Sequence, residues 1–492
     1  FASAIFDGAN YLVIWSDWRN GCFPQYSDIY GARITPSMNI IDPEGILIST
    51  FVNMQSPPTV GFNGTNYLTV WTHGYIGSGA DLRGTRITVD GTIIDTCPIA
   101  ISNAMYSQYL SAIGSNGTDY LATWSSEDPP HNSSTALFGS VVSSQGVVFN
   151  EIGIAPGMGD EHFIYSQIAF DGNNYLVVYE RDHYLSDTSE IEGAFITPDG
   201  TLLDRIGIWI SHNGPPAVAF GTTKYLVVWQ ERRNSSNLEI CGAFVTPAGM
   251  VAPLWNPIIV APGDQELPQI AFDGTNYLVV WQDNRSGSYD IYGTRVTQSG
   301  ITLDPDGIPI STASDDQLYP AIIFDGTNYI VVWQDHRNGD NWDIYGARVT
   351  TDGLVLDTVG VELINQATDR LYPKINRGTG NQFLVVYQGF VPEAPYNTWR
   401  VFGAVRGDWG IEETARRSTS HAMCLEIHPN PFRNAVSIKF QIPIRQSAWR
   451  TNDQTNPKSQ NSNLSTRYSL LATLKIYDAT GRLVKSFNHL SA

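Results

Sequence analysis

Cysteine is scarce and scattered in this chain: its 492 residues include four, Cys22, Cys97, Cys241 and Cys424, with no C-x-x-C pair among them. That spacing suggests neither a disulfide framework nor a zinc site. Long apolar runs are missing too, and no stretch approaches the roughly 20 residues of a membrane-crossing helix. Positive charge is in short supply, with 29 Lys and Arg against 48 Asp and Glu. The deficit is uneven: from Glu412 onward 11 basic residues meet 5 acidic ones, which leaves 18 against 43 in the part before it. An acidic body repels nucleic acid and anionic membranes and favours cations or neutral polar ligands, although solubility is the simpler reading. The chain opens at Phe1, inside a repeat, with neither methionine nor signal peptide, and so reads as a fragment or a mature form. H-E-x-x-H and G-x-S-x-G are both absent, which disfavours a metalloprotease of that type and an α/β-hydrolase. The S-x-D-x-G-x-T-W box of sialidase propellers is missing as well.

What the chain has in plenty is turn residues and aromatics. Its 44 Gly and 27 Pro suit many short strands, while 42% hydrophobic and 12% aromatic residues exclude disorder. One phrase recurs: Phe324-Asp325-Gly326-Thr327-Asn328-Tyr329-Ile330-Val331-Val332-Trp333 is rewritten from Phe272 to Trp281, Phe170 to Tyr179, Phe62 to Trp71 and Phe6 to Trp15. With looser copies, the closing aromatic stands at positions 15, 71, 124, 179, 229, 281, 333 and 387. A period of about 53 residues signals a repeat architecture.

Each period resolves into four short strands. In the seventh copy these are Pro320 to Phe324, Tyr329 to Trp333, Ile344 to Val349 and Leu354 towards Val361, with Asp325-Gly326 and Asp352-Gly353 as turns. The second strand is apolar at every position, so it is expected to be buried on both faces. A radial stack of four-stranded blades supplies that environment. The expectation is therefore an all-β chain: a β-propeller of about eight blades over residues 1–411, with a seven-bladed or incomplete ring left open. Copies three and eight are the most degenerate, and Trp409-Gly410-Ile411 is at best a vestige of the eighth fourth strand.

Residues 412–424 are polar and basic and read as a linker. Beyond them come Ile427-His428-Pro429-Asn430-Pro431-Phe432, a strand-like Val436 to Phe440, and Ile476-Tyr477-Asp478-Ala479-Thr480-Gly481-Arg482-Leu483-Val484. In that order, these segments resemble the C-terminal sorting domain of proteins exported by the type IX (Por) secretion system. The resemblance implies an Ig-like β-sandwich over 425–492 that engages the secretion machinery, and a bacterial protein that is secreted or attached to the outer surface. Two departures stand out: a polar insert, Gln446 to Arg467, and a stop at Ala492 before the family's final strands, so the domain reads as truncated. The repeats also resemble those of uncharacterised secreted bacterial proteins with such a tail, a likeness that implies no activity.

In an antiparallel meander the loops from second to third strand and from fourth to first strand share one face, and these are the long, varied ones. Binding residues concentrate on such loops. Two sets of residues recur there. An acid, an Arg two residues on and a further acid before the third strand appear as Asp17/Arg19/Asp28, Glu231/Arg233/Glu239, Asp283/Arg285/Asp290 and Asp335/Arg337/Asp343. Repetition favours loop-bracing ion pairs worth at most about 1 kcal/mol if exposed; the functional alternative is a ring of sugar- or cation-binding loops. Asp335, Asn338, Asp340, Asn341 and Asp343 are oxygen-rich enough for calcium but lack EF-hand spacing, so no cofactor is expected, with calcium as the exception to test. The second set, Asp264, Asp316 and Asp369, stands four residues before a strand-opening proline, with Asp160-Glu161 in the corresponding loop of copy four. These read as turn or capping aspartates, or as an acidic collar at a channel mouth.

Trp18, Trp342 and Tyr319 sit in the same loops and could stack on sugar rings, although rim aromatics more often simply pack. His73, His131, His183 and His336 have no ligand spacing. Paired carboxylates for glycoside hydrolysis would need distances that a sequence lacks, and no pair stands out. The expected function is thus a non-catalytic binding or scaffold module with a glycan or extracellular protein partner at the long-loop face. An extracellular polysaccharide hydrolase or lyase is the first alternative and a purely structural stalk the second.

Overall fold

The computed structural model describes residues 2–17, 27–50, 55, 58–74, 79–102, 107–127, 134–157, 161–183, 188–211, 214–232, 237–254, 256–364, 368–391, 398–406, 425–426, 473–477 and 483–488. Eight antiparallel four-stranded sheets follow one another along the chain, each a meander in sequence order. Their first strands are Ala2–Phe6, Thr59–Phe62, Gln108–Ser115, Glu161–Phe170, Ala217–Phe220, Gln265–Phe272, Gln317–Phe324 and Arg370–Arg377, which open blades one to eight. Each first strand packs against the next, and the last packs against the first, so the eight sheets close into a propeller ring.

The turn chemistry sets this up. In blade seven, Phe324 pairs with Tyr329 across a four-residue turn in which Gly326 takes φ 107. The Asp325 carboxylate accepts the backbone N–H groups of Thr327 and Asn328 at 2.7 and 2.8 Å. Such an Asx turn fixes the register, and register decides which face each side chain occupies.

The all-apolar second strands follow from the radial stacking. Leu278 and Val280 of blade six point to the same core as Tyr329, Val331 and Trp333 of blade seven, while Ile330 and Val332 face the other way, into the core shared with blade eight. The final interface repeats this: Leu384 and Val386 of blade eight pack with Tyr11, Val13 and Trp15 of blade one. In blade six, third-strand Gly293 leaves room for side chains of its own sheet, since a Cβ there would stand 3.1 Å from both Ile310 Cδ1 and the Val279 carbonyl oxygen.

Two sets of ties link blades on the short-turn face. Tyrosine hydroxyls at the start of second strands donate to a carbonyl of the preceding blade, as Tyr277 to Lys224 and Tyr329 to Asn276, both at 2.8 Å. Arg295 pairs with Asp304 at 2.8 Å within blade six and donates to the Thr351 carbonyl of blade seven at 3.2 Å. Arg33–Asp42 and Arg86–Asp95 repeat the arrangement towards Val89 and Ser144.

In blade eight the fourth position is taken by Leu425–Glu426, which pairs with Phe402 and Gly403; Trp409, Gly410 and Ile411 lie outside the described residues. The chain divides into two compact units, Phe1–Ser437 and Ile438–Ala492. In the second unit Thr473–Tyr477 pairs antiparallel with Leu483–Asn488. The Pro429-Asn430-Pro431-Phe432 segment and the strand expected at 436–440 lie outside the described residues.

Candidate functional site

On the long-loop face the acid–arginine sets of blades six and seven are internal braces. Asp283 is fully buried and receives Arg285 through both oxygens, at 2.9 Å from Nε and 2.6 Å from Nη2, while the Trp281 indole N–H donates to it at 2.8 Å. The Arg285 guanidinium lies 4.0 Å from the centre of the Tyr292 ring and donates to the Asp306 carbonyl at 2.8 Å. Blade seven repeats the set: Arg337 holds Asp335 at 2.5 Å, covers Tyr345 at 3.9 Å and donates to the Val359 carbonyl at 2.6 Å. Burial pulls the Arg337 guanidinium down, but the hydrogen bond and charge of Asp335 more than offset it, so its pKa is raised. Asp335 could coordinate a cation only by giving up these bonds. In blade one Trp15 donates to Asp17 at 2.9 Å, and Asp17 lies opposite Asp28; in blade five Trp229 donates to Glu231 at 3.2 Å, and Glu231 lies opposite Glu239.

The second acids have separate partners. Ser286 donates to Asp290 at 2.7 Å and Asn338 to Asp343 at 3.0 Å. Arg19, Arg233, Trp18, Asp160 and His131 lie outside the described residues. His73, His183 and His336 stand in three different blades, His336 with its ring 4.8 Å from that of Trp342.

Asp264, Asp316 and Asp369 are inter-blade clasps. The Asp316 carboxylate accepts the Tyr289 N–H of blade six at 2.9 Å, and its backbone carbonyl accepts the His336 N–H of blade seven at 2.9 Å. Asp264 serves Leu238 and Asn284 in the same way, and Asp369 serves Trp342 and Phe390.

What the face presents to solvent is a set of bulges that the sequence reading did not reach. The first strands of blades four, six, seven and eight each slip register, and in the slipped segments Tyr165, Leu267, Tyr319 and Tyr372 take φ between 51 and 55. Left-handed backbone at a bulky residue costs roughly 1–2 kcal/mol. A glutamine of the preceding blade holds three of them in place: Gln230, Gln282 and Gln334 accept the N–H of Leu267, Tyr319 and Tyr372 at 2.8, 3.2 and 3.0 Å. Tyr319 and Tyr372 are 39% and 37% exposed, with ring centres 5.0 Å apart in a T-shaped pair, and Tyr165 is 57% exposed. The bulges fall at the long-loop ends of innermost strands, at the mouth of the ring. Nearby, Gln282 also donates to Glu266 at 2.9 Å, and burial followed by the Glu266 charge pushes the Tyr289 phenol up to about 12.

Blade four breaks the pattern. Tyr179 stands where blade six has Trp281, and its cross-strand partner is Glu192, where Trp281 has Tyr292. Arg181 takes the place of Asp283 and joins Glu161, Glu190 and Glu192 of two flanking strands, the last two at 3.3 and 3.2 Å. Burial raises the neighbouring Glu180 carboxyl.

No protein-family pattern matches the chain, and no curated protein matches it. Solved structures do resemble it. A thermostable family-43 glycoside hydrolase is 16% identical, covering 50% of this chain and 90% of that one, with a TM-score of 0.33. A protein of unknown function from Dyadobacter fermentans DSM 18053 is 11% identical over 71% of this chain and 94% of that one, with a TM-score of 0.40. The β-propeller domain of the Trilobed protease from Pyrococcus furiosus is 9% identical over 71% and 92%, with a TM-score of 0.40. At these identities and scores none of them transfers an activity or a substrate.

Proposed function

We propose that the propeller is a non-catalytic binding module whose ligand, a glycan, docks at the long-loop mouth of the ring. The observation that carries this reading is the exposed Tyr319–Tyr372 pair, held in left-handed bulges by Gln282 and Gln334 of preceding blades. Strain of that kind persists only where the surroundings enforce it, and it concentrates where a ligand is met. An exposed phenol ring offers an apolar face to the C–H side of a sugar and a hydroxyl to its rim. The carboxylate cluster of blade four favours binding over hydrolysis in one respect: Glu161, Glu190 and Glu192 are all engaged by Arg181. We further propose, from the sequence likeness of the C-terminal segment to a type IX sorting domain, that the protein works outside the bacterial cell or on its surface.

A glycan array probed with the full chain and with a Tyr319→Ala/Tyr372→Ala variant tests the site. The native chain is expected to bind a subset of glycans, and the variant to lose those held at the mouth, since it removes both apolar ring faces. Undiminished binding by the variant, or binding to proteins but to no glycan, would overturn this reading.

A further inference from the structure

We infer that blade four carries a second binding site, distinct from the Tyr319–Tyr372 pair of blades seven and eight, for one neutral sugar ring. Where blades six and seven fill the space beside the second strand with a tryptophan, an arginine and a tyrosine, blade four opens a cavity of about 220 Å³. Its walls are Ala155, Pro156, Phe163 and Ile206 on the apolar side and Arg181, Glu192 and Arg205 on the polar side. That is the room of about seven waters at ~30 Å³ each, the size class of a single pyranose or furanose.

The cavity follows from the repeat's own substitutions. Five other blades place an aromatic ring (Tyr30, Phe138, Tyr292, Tyr345 or Phe402) opposite the second-strand aromatic, whereas Glu192 stands there in blade four. Tyr179 is smaller than the tryptophan of most other blades, and its hydroxyl donates to Glu192 at 2.9 Å. His183 stands where blade six has Arg285, so no guanidinium covers the gap from that position.

The lining chemistry selects the ligand. Arg205 is fixed by its donations to the Ile154 carbonyl and, at 2.7 Å, to the Gly153 carbonyl. Arg181 is fixed by three glutamates, and its buried Nε finds no partner among the described residues. Three carboxylates against two guanidinium groups leave the surroundings net negative, which opposes an anion. Against a cation stand the carboxylate oxygens themselves, which already receive Arg181 and, at Glu192, the Tyr179 hydroxyl, so a cation would have to displace those bonds. Hydroxyl groups suit both sides: their oxygens accept from guanidinium N–H and their protons go to Glu192. Phe163, set edge-on to Tyr179 with ring centres 5.8 Å apart, and Ile206 supply the apolar wall that the C–H face of a sugar needs.

The test is ligand-observed NMR titration of the full chain with methyl glycosides of glucose, galactose, mannose, xylose and arabinose, with glucuronate and glucosamine as charged probes. At least one neutral glycoside is expected to bind, and Glu192→Gln to weaken it about tenfold by loss of a charge-assisted bond. The variant Tyr179→Trp/Arg181→Asp/His183→Arg/Glu192→Tyr rebuilds the stack of blades six and seven in blade four. It is expected to abolish that binding with an unchanged or higher melting temperature, while the mouth variant Tyr319→Ala/Tyr372→Ala leaves it intact. Absence of binding by every neutral glycoside, preference for glucuronate or glucosamine, or unchanged binding by Glu192→Gln would overturn the inference.

Discussion

The acidic side chains that catch the eye in this sequence are occupied by the protein itself. Asp335 shows how completely: both oxygens are taken by Arg337, and one also receives the Trp333 indole N–H, at a site where the carboxylate has no exposed surface. Removing it strands a half-buried guanidinium and an indole donor, the circumstance in which a broken ion pair costs most. Asp335→Ala is therefore expected to destabilise the chain by about 3 kcal/mol, well beyond the ~1 kcal/mol of an exposed pair, measured by urea unfolding. A loss under 1 kcal/mol would show that the brace is ornamental. Sequence spacing found these residues and their grouping, but not the hydrogen-bond partners of the second acids, Asn338 for Asp343 and Ser286 for Asp290. Cross-strand distance decides the partner, and spacing along a loop of unknown path cannot supply it.

At the scale of the element, the four-stranded blade was legible because its turns are chemical. The Asp325 and Gly326 pair fixes one hairpin, and an all-apolar second strand demands a sheet on either side. Tyr319 was legible as a long-face aromatic able to stack on a sugar, but its left-handed bulge, and the matching one at Tyr372, were not, since nothing in the local sequence marks where the first strand slips. The departure of blade four leaves a trace at positions 179, 181, 183 and 192, visible only once the repeats are set in structural register. Gly293→Val is expected to cost about 1–3 kcal/mol by overpacking against Val279 and Ile310, read as a fall in melting temperature. Gln334→Ala leaves the Tyr372 N–H without its acceptor, and a loss of about 1–2 kcal/mol with weakened glycan binding is expected from paired unfolding and binding curves.

At the scale of the whole molecule, the ring is tied on its short-turn face by buried tyrosines. Burial holds the phenols of Tyr67, Tyr120, Tyr175, Tyr225, Tyr277 and Tyr329 above their ordinary value of 10.0. Unfolded, these groups ionise near that value while the folded ones stay protonated, so the folded state holds more protons there. Their contribution is fully present below the unfolded pKa and falls as pH rises through the folded one. Stability is expected to stay level with respect to these groups up to pH ~9 and to drop steeply above pH ~10, followed by urea unfolding across that range. A curve still level at pH ~11 would mean that the tyrosines are not sealed in the blade interfaces.

The account turns on a division of labour across one face of the ring, with repeated acids as scaffold and bulge tyrosines as site. The most direct measurement sets Asp335→Asn beside Tyr319→Ala/Tyr372→Ala and records melting temperature and glycan-array binding for both, in the full chain. The account predicts that the aspartate variant melts lower yet still binds at temperatures where it is folded, and that the tyrosine variant melts at or near the native temperature yet loses the array glycans that the mouth holds. The reverse pattern, binding lost with Asp335 and retained without the tyrosines, would contradict it.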